Sequence, residues 1–338
     1  MATSKKRASS KKSAAGKKRT TASKKSASKK SASKKSARKG ASKKAAAASE
    51  TRAIGGAGVS SKYSEWFRST SQPRKGIVVL DKGVPDGTLK AVEYSAIDGW
   101  AIFEGDILLG TVEEMEKRIQ SLKVDPDALP TAGMPLPGAT TRGLIRPNIK
   151  IFGIVIRNFR WPNGVVPYEI ASNLPNQQRI TDAIAHWQAK TKIRFVKRTS
   201  SHKDYVRFED QGGCFSAVGR QGGKQIISIA PGCSTGSTIH EIGHAVGLWH
   251  EQSREDRTKF VTINFQNIEA GKEHNFNQHI SDGDDVGIYD YGSIMHYGPT
   301  AFSKNGQPTI VPKQSGASIG QRTGLSAGDI AAVKFMYG

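Results

Sequence analysis

Three histidines and a glutamate share the run His240-Glu241-Ile242-Gly243-His244-Ala245-Val246-Gly247-Leu248-Trp249-His250, in types and spacing that suit a catalytic metal ion. Residues four apart lie one above the other on an α-helix, so His240 and His244 can offer imidazole nitrogens to one ion. Glu241 sits about 100° further round the same helix, near enough to hold a water beside the ion without being a ligand. Gly247 can take a positive φ and end the helix, which lets the chain turn and bring back His250 as a third ligand. Three neutral nitrogens plus water leave one position open, as in catalytic zinc sites; structural zinc is closed by four protein ligands. Cobalt or copper would accept the same nitrogens, but ligand type and availability favour one Zn2+ per chain. Downstream, Met295 lies in Ser293-Ile294-Met295-His296-Tyr297, where it can pack as an apolar floor beneath such a site. The remaining histidines, at 186, 202, 274, 279 and 296, lack ligand spacing and are read as surface or structural.

Holding that helix in place requires a core, and the flanking pattern supplies one. Val165 to Ile170 alternates as a strand, and Ile180, Ala183, Ile184 and Trp187 share one face of a helix that Asn176 is placed to cap. Ile193 to Val196 then forms a second strand, giving a β-α-β unit. Tyr205 to Phe208 and Gln225 to Ile229 add strands before the histidine helix, and Ser326 with Asp329 forms a capping box for a final helix. The expected class is α+β: a twisted mixed five-stranded sheet, two main helices, an irregular lower half, and the metal on the floor of the cleft between.

The amino-terminal part is of a different kind. Residues 1–50 carry 18 Lys or Arg against one acid, Glu50, a net +17 of the chain's +22; residues 51–338 are left with only +5. A Lys/Ser/Ala run with nothing to bury is expected to stay disordered, and its charge density suits polyanions, bound by counterion release without sequence preference. Nucleic acid or another anionic surface is therefore an expected partner of this tail. Residues 51–75 read as linker. From Gly76, extended runs such as Ile77-Val78-Val79-Leu80 alternate with turns such as Pro85-Asp86-Gly87; residues 113–123 read as a short helix and 124–148 as Pro/Gly-rich linker. No 7–15-residue apolar leader core and no membrane-length apolar run is seen.

Several motifs in order resemble the astacin family of zinc endopeptidases, within the metzincin clan. They are WPNGVVPYEI at 161–170, IRFVKRT at 193–199, GGCFSAVGRQGG at 212–223, HEIGHAVGLWHEQSREDR from His240, YDYGSIMHYGPTAFSKNG from Tyr289 and LSAGDIAAVKFMY at 325–337. The resemblance implies a zincin-like catalytic domain over 151–338, zinc on His240, His244 and His250, Glu241 as general base and Tyr297 as a phenol stabilising the transition state. It implies that Glu251 contacts the buried amino terminus of the mature enzyme, and that Phe215 to Val218 is the edge against which an extended substrate pairs. Phe103-Glu104-Gly105-Asp106-Ile107 resembles the F-x-G-D element of astacin pro-segments, whose aspartate takes the zinc's open position. Residues 76–150 are accordingly expected to be a pro-segment, with Asp106 as the latency switch.

The resemblance also implies that Cys214 and Cys233, the only cysteines, are disulfide-bonded, which favours a secreted protein although no signal peptide is visible; two reduced buried thiols are the alternative. The family's second disulfide is missing, with Lys192 where one partner would stand, and Thr258 replaces a usual acidic residue. Arg142, Arg146, Lys150 and Arg157 are candidate activation sites. The whole is expected to be a monomeric endopeptidase acting on proteins or peptides, made as a latent precursor. The alternative is a nucleic-acid-binding protein using its tail, with a vestigial protease fold; retention of Glu241, Tyr297 and all three histidines argues against it.

Overall fold

Residues 72–80, 88–128, 134–135, 153–155, 160–279 and 283–338 are described by the computed structural model of the chain. The basic run 1–50, most of the two linkers, the turn at Pro85 and the basic residues at 142, 146, 150 and 157 lie outside them. The first strand, β1 (Arg74–Leu80), begins two residues before Gly76, so the linker ends sooner than composition indicated. It runs antiparallel to β2 (Thr88–Ile97), followed by β3 (Trp100–Phe103) and β4 (Ile107–Thr111) as a meander. Helix α1 (Val112–Leu122) starts at a capping box in which Thr111 and Glu114 satisfy each other's backbone N–H, and it buries Met115. Two short strands follow, β5 (Met134–Pro135) on β2 and β6 (Gly153–Val155).

The β-α-β unit forms as its pattern predicts. Strand β7 (Val165–Ile170), helix α2 (Gln178–Lys190) and strand β8 (Arg194–Lys197) pair the two strands in parallel. Asn176 does not cap α2. It takes a left-handed conformation (φ 50°), which Asn tolerates, and the cap position falls to Gln177 with no side-chain cap bond. Strands β9 (Tyr205–Glu209), β10 (Cys214–Ser216) and β11 (Lys224–Ile229) complete five mixed strands. The amino-terminal meander then extends this same sheet: β4 pairs in parallel with β10 through Ile107 and Ser216, giving the order β1-β2-β3-β4-β10-β11-β9-β7-β8. An edge strand offers unpaired N–H and C=O groups, and here β4 covers that edge.

Behind the sheet, α2 packs on α3 (Thr235–Val246), where buried Trp187 donates its indole N–H to Ile239 O at 3.0 Å. Cys214 and Cys233 are joined by a disulfide whose partners are 19 positions apart, a closure that contributes roughly 3 kcal/mol. Arg179 is buried beside it and donates to the carbonyls of Ile229, Ala230 and Cys233. After His250 the chain is irregular, with β12 (Val261–Ile263) on β14 (Ile310–Pro312), and β13 (Asp284–Val286) on β6. A second core of Phe276, Tyr289, Tyr297, Phe302 and Ile310 sits there. The last helix, α4 (Ala327–Tyr337), opens with the expected Ser326–Asp329 capping box.

Candidate metal centre

Helix α3 places His240, Glu241 and His244 where a four-residue step must put them, and all three are fully buried. Gly247 ends it at φ 113°, with its N–H on Gly243 O and His244 O, and the chain returns to bring His250 back beside the helix. Gly243 matters for another reason. A Cβ there would lie 2.5 Å from Met295 Sδ, so the floor residue can approach the helix only because position 243 has no side chain. Met295 is buried, and its carbonyl accepts from Glu251 N–H at 3.2 Å.

Each histidine turns its Nε2 inward and its Nδ1 outward onto an acceptor. His240 Nδ1–H donates to Ile294 O at 2.7 Å and His244 Nδ1–H to Leu248 O at 2.8 Å. His250 Nδ1–H donates to Glu104 Oε2 at 2.8 Å. These bonds fix the tautomer and leave the inner nitrogens as lone-pair donors. Asp106 enters from the amino-terminal meander at the turn between β3 and β4. Its carboxylate lies 3.2 Å from His240 Nε2, 3.5 Å from His244 Nε2 and 3.0 Å from His250 Nε2. The four ligand atoms lie within 4.8 Å of one another and could hold one metal ion. Asp106 Oδ1 and His244 Nε2 are buried without a hydrogen bond, an unfavourable state for two polar atoms unless an ion lies between them. Three imidazole nitrogens and one carboxylate oxygen are a donor set that suits zinc.

Electrostatics of the polypeptide follow from burial. Burial, then the charge of Arg322, pushes His240 down to about 3, and burial also lowers His244. Burial alone would lower His250 as well, but the Asp106 and Glu104 carboxylates outweigh it and raise it to about 9. Asp106 runs the other way: burial would raise it, but the charge of His250, with the close approach of the His240 ring, holds it well below the usual carboxylate range. Its meander is anchored where Ser216 N–H donates to Asp106 O at 3.0 Å, and where Phe103 packs edge-on to Trp249.

Tyr297 is fully buried with its ring 4.6 Å from that of His250, and its hydroxyl donates to the Glu104 carbonyl. Burial raises its pKa well above the phenol range, so it stays protonated. Glu251 is buried away from the metal group. It accepts from Asp290 N–H at 2.8 Å, with Arg254 3.6 Å away, and burial raises its carboxyl to about 8. Of the five histidines without ligand spacing, read as surface or structural, His274, His279 and His296 are buried, which fits the structural alternative. Glu104 escaped the sequence reading altogether. It occupies the variable position of F-x-G-D, and the one available signal was an acidic residue two before Asp106.

The family model for Astacin, a peptidase family, matches residues 154–338. The chain is 43% identical over 201 residues to zinc metalloproteinase nas-13 of Caenorhabditis elegans, a match covering 56% of this chain and 45% of that protein. It is 42% identical over 193 residues to the astacin-like metalloendopeptidase of Mus musculus, covering 54% of this chain and 44% of that one. The chain thus spans less than half the length of either relative. Among solved structures, high choriolytic enzyme 1, a hatching enzyme zinc-protease from Oryzias latipes, is similar at 40% identity and a TM-score of 0.49, covering 53% of this chain and 92% of that one.

Proposed function

Since the chain belongs to the astacin family of peptidases, we propose that it is a zinc-dependent endopeptidase made as a latent precursor. The observation that carries this reading is the convergence of His240, His244 and His250 on one point, with Glu241 on the same helix and Asp106 facing all three imidazoles. Zinc, when bound, polarises a peptide carbonyl and lowers the pKa of water from near 16 to roughly 7. His240, His244 and His250 are its ligands, each oriented by the acceptor on its Nδ1. Glu241 is the general base: it takes a proton from the attacking water and delivers it to the leaving amine. The Tyr297 hydroxyl donates to the developing oxyanion, once freed from the Glu104 carbonyl it meets in the latent chain. Asp106 fills the position that the water needs, and the pairing of β4 with β10 covers the edge on which substrate backbone would add as a strand. Glu251 is the receptor of the new amino terminus after the pro-segment, residues 76–150, is cut away; an arriving ammonium would ionise its buried carboxyl.

Metal analysis and casein cleavage by the trimmed chain test the reading together. One zinc per chain and cleavage abolished by chelator are expected; a folded chain without stoichiometric metal, or proteolysis indifferent to chelator, refutes it. Tyr297→Phe in the trimmed chain is expected to lower kcat by no more than the roughly 10²–10³-fold of a lost oxyanion-hole donor, with little change in KM. An unchanged kcat removes Tyr297 from the mechanism.

The disulfide is compatible with an extracellular location. Among the described residues no helix is long and apolar enough to cross a membrane. The +17 of residues 1–50 supports a second role as a tether to polyanions. The full chain is expected to bind duplex DNA at 50 mM salt and to lose about 10³-fold or more in affinity by 200 mM, while a chain lacking 1–50 binds at neither. Equal binding by both chains refutes the tether, and DNA binding without any peptidase activity would favour the vestigial-protease alternative.

A further inference from the structure

We propose that Glu104 is a positioning residue for the precursor's metal centre, by which the pro-segment holds His250 in place and slows release of the ion. The inference rests on the reading of the three histidines as ligands.

Two of the three ligand rings are oriented from within the catalytic segment, by the carbonyls of Ile294 and Leu248. The third is oriented across 146 positions of sequence, by the Glu104 carboxylate. A carboxylate on the outer nitrogen of a ligand histidine fixes the ring and makes it a stronger donor than a neutral carbonyl does. Glu104 is itself held rigidly. Its other oxygen accepts from Ser253 Oγ at 2.9 Å and from His279 Nε2 at 2.8 Å. The His279 ring in turn lies 4.2 Å from the Trp249 ring and 5.8 Å from that of Phe103, and its backbone N–H donates to Ser253 O at 2.7 Å.

Glu104 is fully buried and takes a left-handed backbone conformation (φ 45°), an uncommon state that needs its surroundings to enforce it. That turn, with Gly105 at φ 77°, lets two residues on either side of it grip His250 from opposite sides. Asp106 meets its Nε2 and Glu104 meets its Nδ1. Both grips leave with the pro-segment. The precursor therefore keeps its metal more tightly than the mature domain does, and part of that excess belongs to Glu104 rather than to the carboxylate facing the ion.

The test is release of zinc to excess chelator from full-length precursors: wild type, Glu104→Gln and Asp106→Asn. The amide keeps the shape of Glu104 but loses its negative charge, and it turns its NH2 against either His250 Nδ1 or the pair Ser253 Oγ and His279 Nε2. Glu104→Gln is expected to release zinc about 10- to 100-fold faster than wild type, the usual effect of losing the outer partner of a ligand. Cleaving off the pro-segment removes position 104, so matured wild type and matured Glu104→Gln are the same polypeptide. Equal release rates and equal turnover after cleavage show that the variant folded. Release from the uncut variant within twofold of wild type, with matched matured products, overturns the proposal.

Should Glu104→Gln not accumulate as folded protein, the wild-type chain loaded with cobalt(II) decides the matter. Removing the pro-segment also takes Asp106 from the ion, so every shift moves, and the readout is exchange with solvent. The imidazole N–H resonance of His250 is expected to be lost to solvent exchange after removal, while those of His240 and His244, still held by the Ile294 and Leu248 carbonyls, persist. A His250 resonance as protected as before overturns the proposal. A precursor that takes up no metal overturns the peptidase reading and this inference with it, and is recognised by the absence of any release to measure.

Discussion

Glu241→Ala, in the chain freed of its pro-segment, is expected to keep one zinc per chain and to lose peptide cleavage by about 10²–10⁴-fold, the usual worth of a positioned general base. The position explains both halves of that result. Glu241 follows His240 on α3 and is fully buried, so it stands beside the ligands rather than among them. On the proposed reading, its removal leaves three nitrogens for the ion and deletes the group assigned to move the proton. Zinc content and kcat measured on one preparation separate the outcomes. Near-normal turnover refutes the role, and loss of zinc together with activity would make Glu241 a structural member of the site instead.

Asp106→Ala is expected to act in the opposite direction, switching on a precursor that has not been cut. The wild-type carboxylate faces all three Nε2 atoms and is held ionised by them. Charge-assisted contacts of this kind contribute roughly 1.5–3 kcal/mol each. Deleting the carboxylate removes at least one such contact and so raises the open, active population by at least about 10- to 100-fold, since each 1.4 kcal/mol is a factor of ten. Hydrolysis of a short quenched peptide by uncut chain reads the effect, with electrophoresis confirming that the pro-segment is still attached. Activity of the variant precursor no higher than that of wild type would leave Asp106 without a part in latency. A partial rise is informative too: strand pairing between β4 and β10 and the contacts of Glu104 remain in this variant, so full activity is expected only after cleavage.

The metal group was legible because its spacing is local. A four-residue step on a helix, a glycine at φ 113° and a return loop bring three imidazoles together wherever the sequence is written. Both the final capping box and the β-α-β unit were legible for the same reason: a few neighbouring residues dictate them. Asn176 shows the limit of such local rules. Its type suits a helix cap and a left-handed turn alike, and in the fold it takes the turn. The burial of His274, His279 and His296 was equally out of reach, because those residues sit in an irregular half where no periodicity separates inside from outside.

By itself, then, the amino-acid order determined where the three proposed ligands and the floor methionine fall and four of the five strands around them, since backbone geometry over a few residues or a repeating apolar pattern encodes each. The edge strand at Phe215 and the role of Glu241 as base were implied by the family resemblance alone. Asp106 facing the proposed ligands was implied by the F-x-G-D resemblance; tertiary structure alone decided the partners of Glu104 and every distance between the two segments. Asp106 reaches His240 across 134 positions, Glu104 reaches His279 across 175, and Tyr297 ties its hydroxyl to the Glu104 backbone. Those meetings depend on the parallel register of β4 against β10. Such a register is set by the sum of side-chain packing on both strands, and no short stretch of sequence carries it.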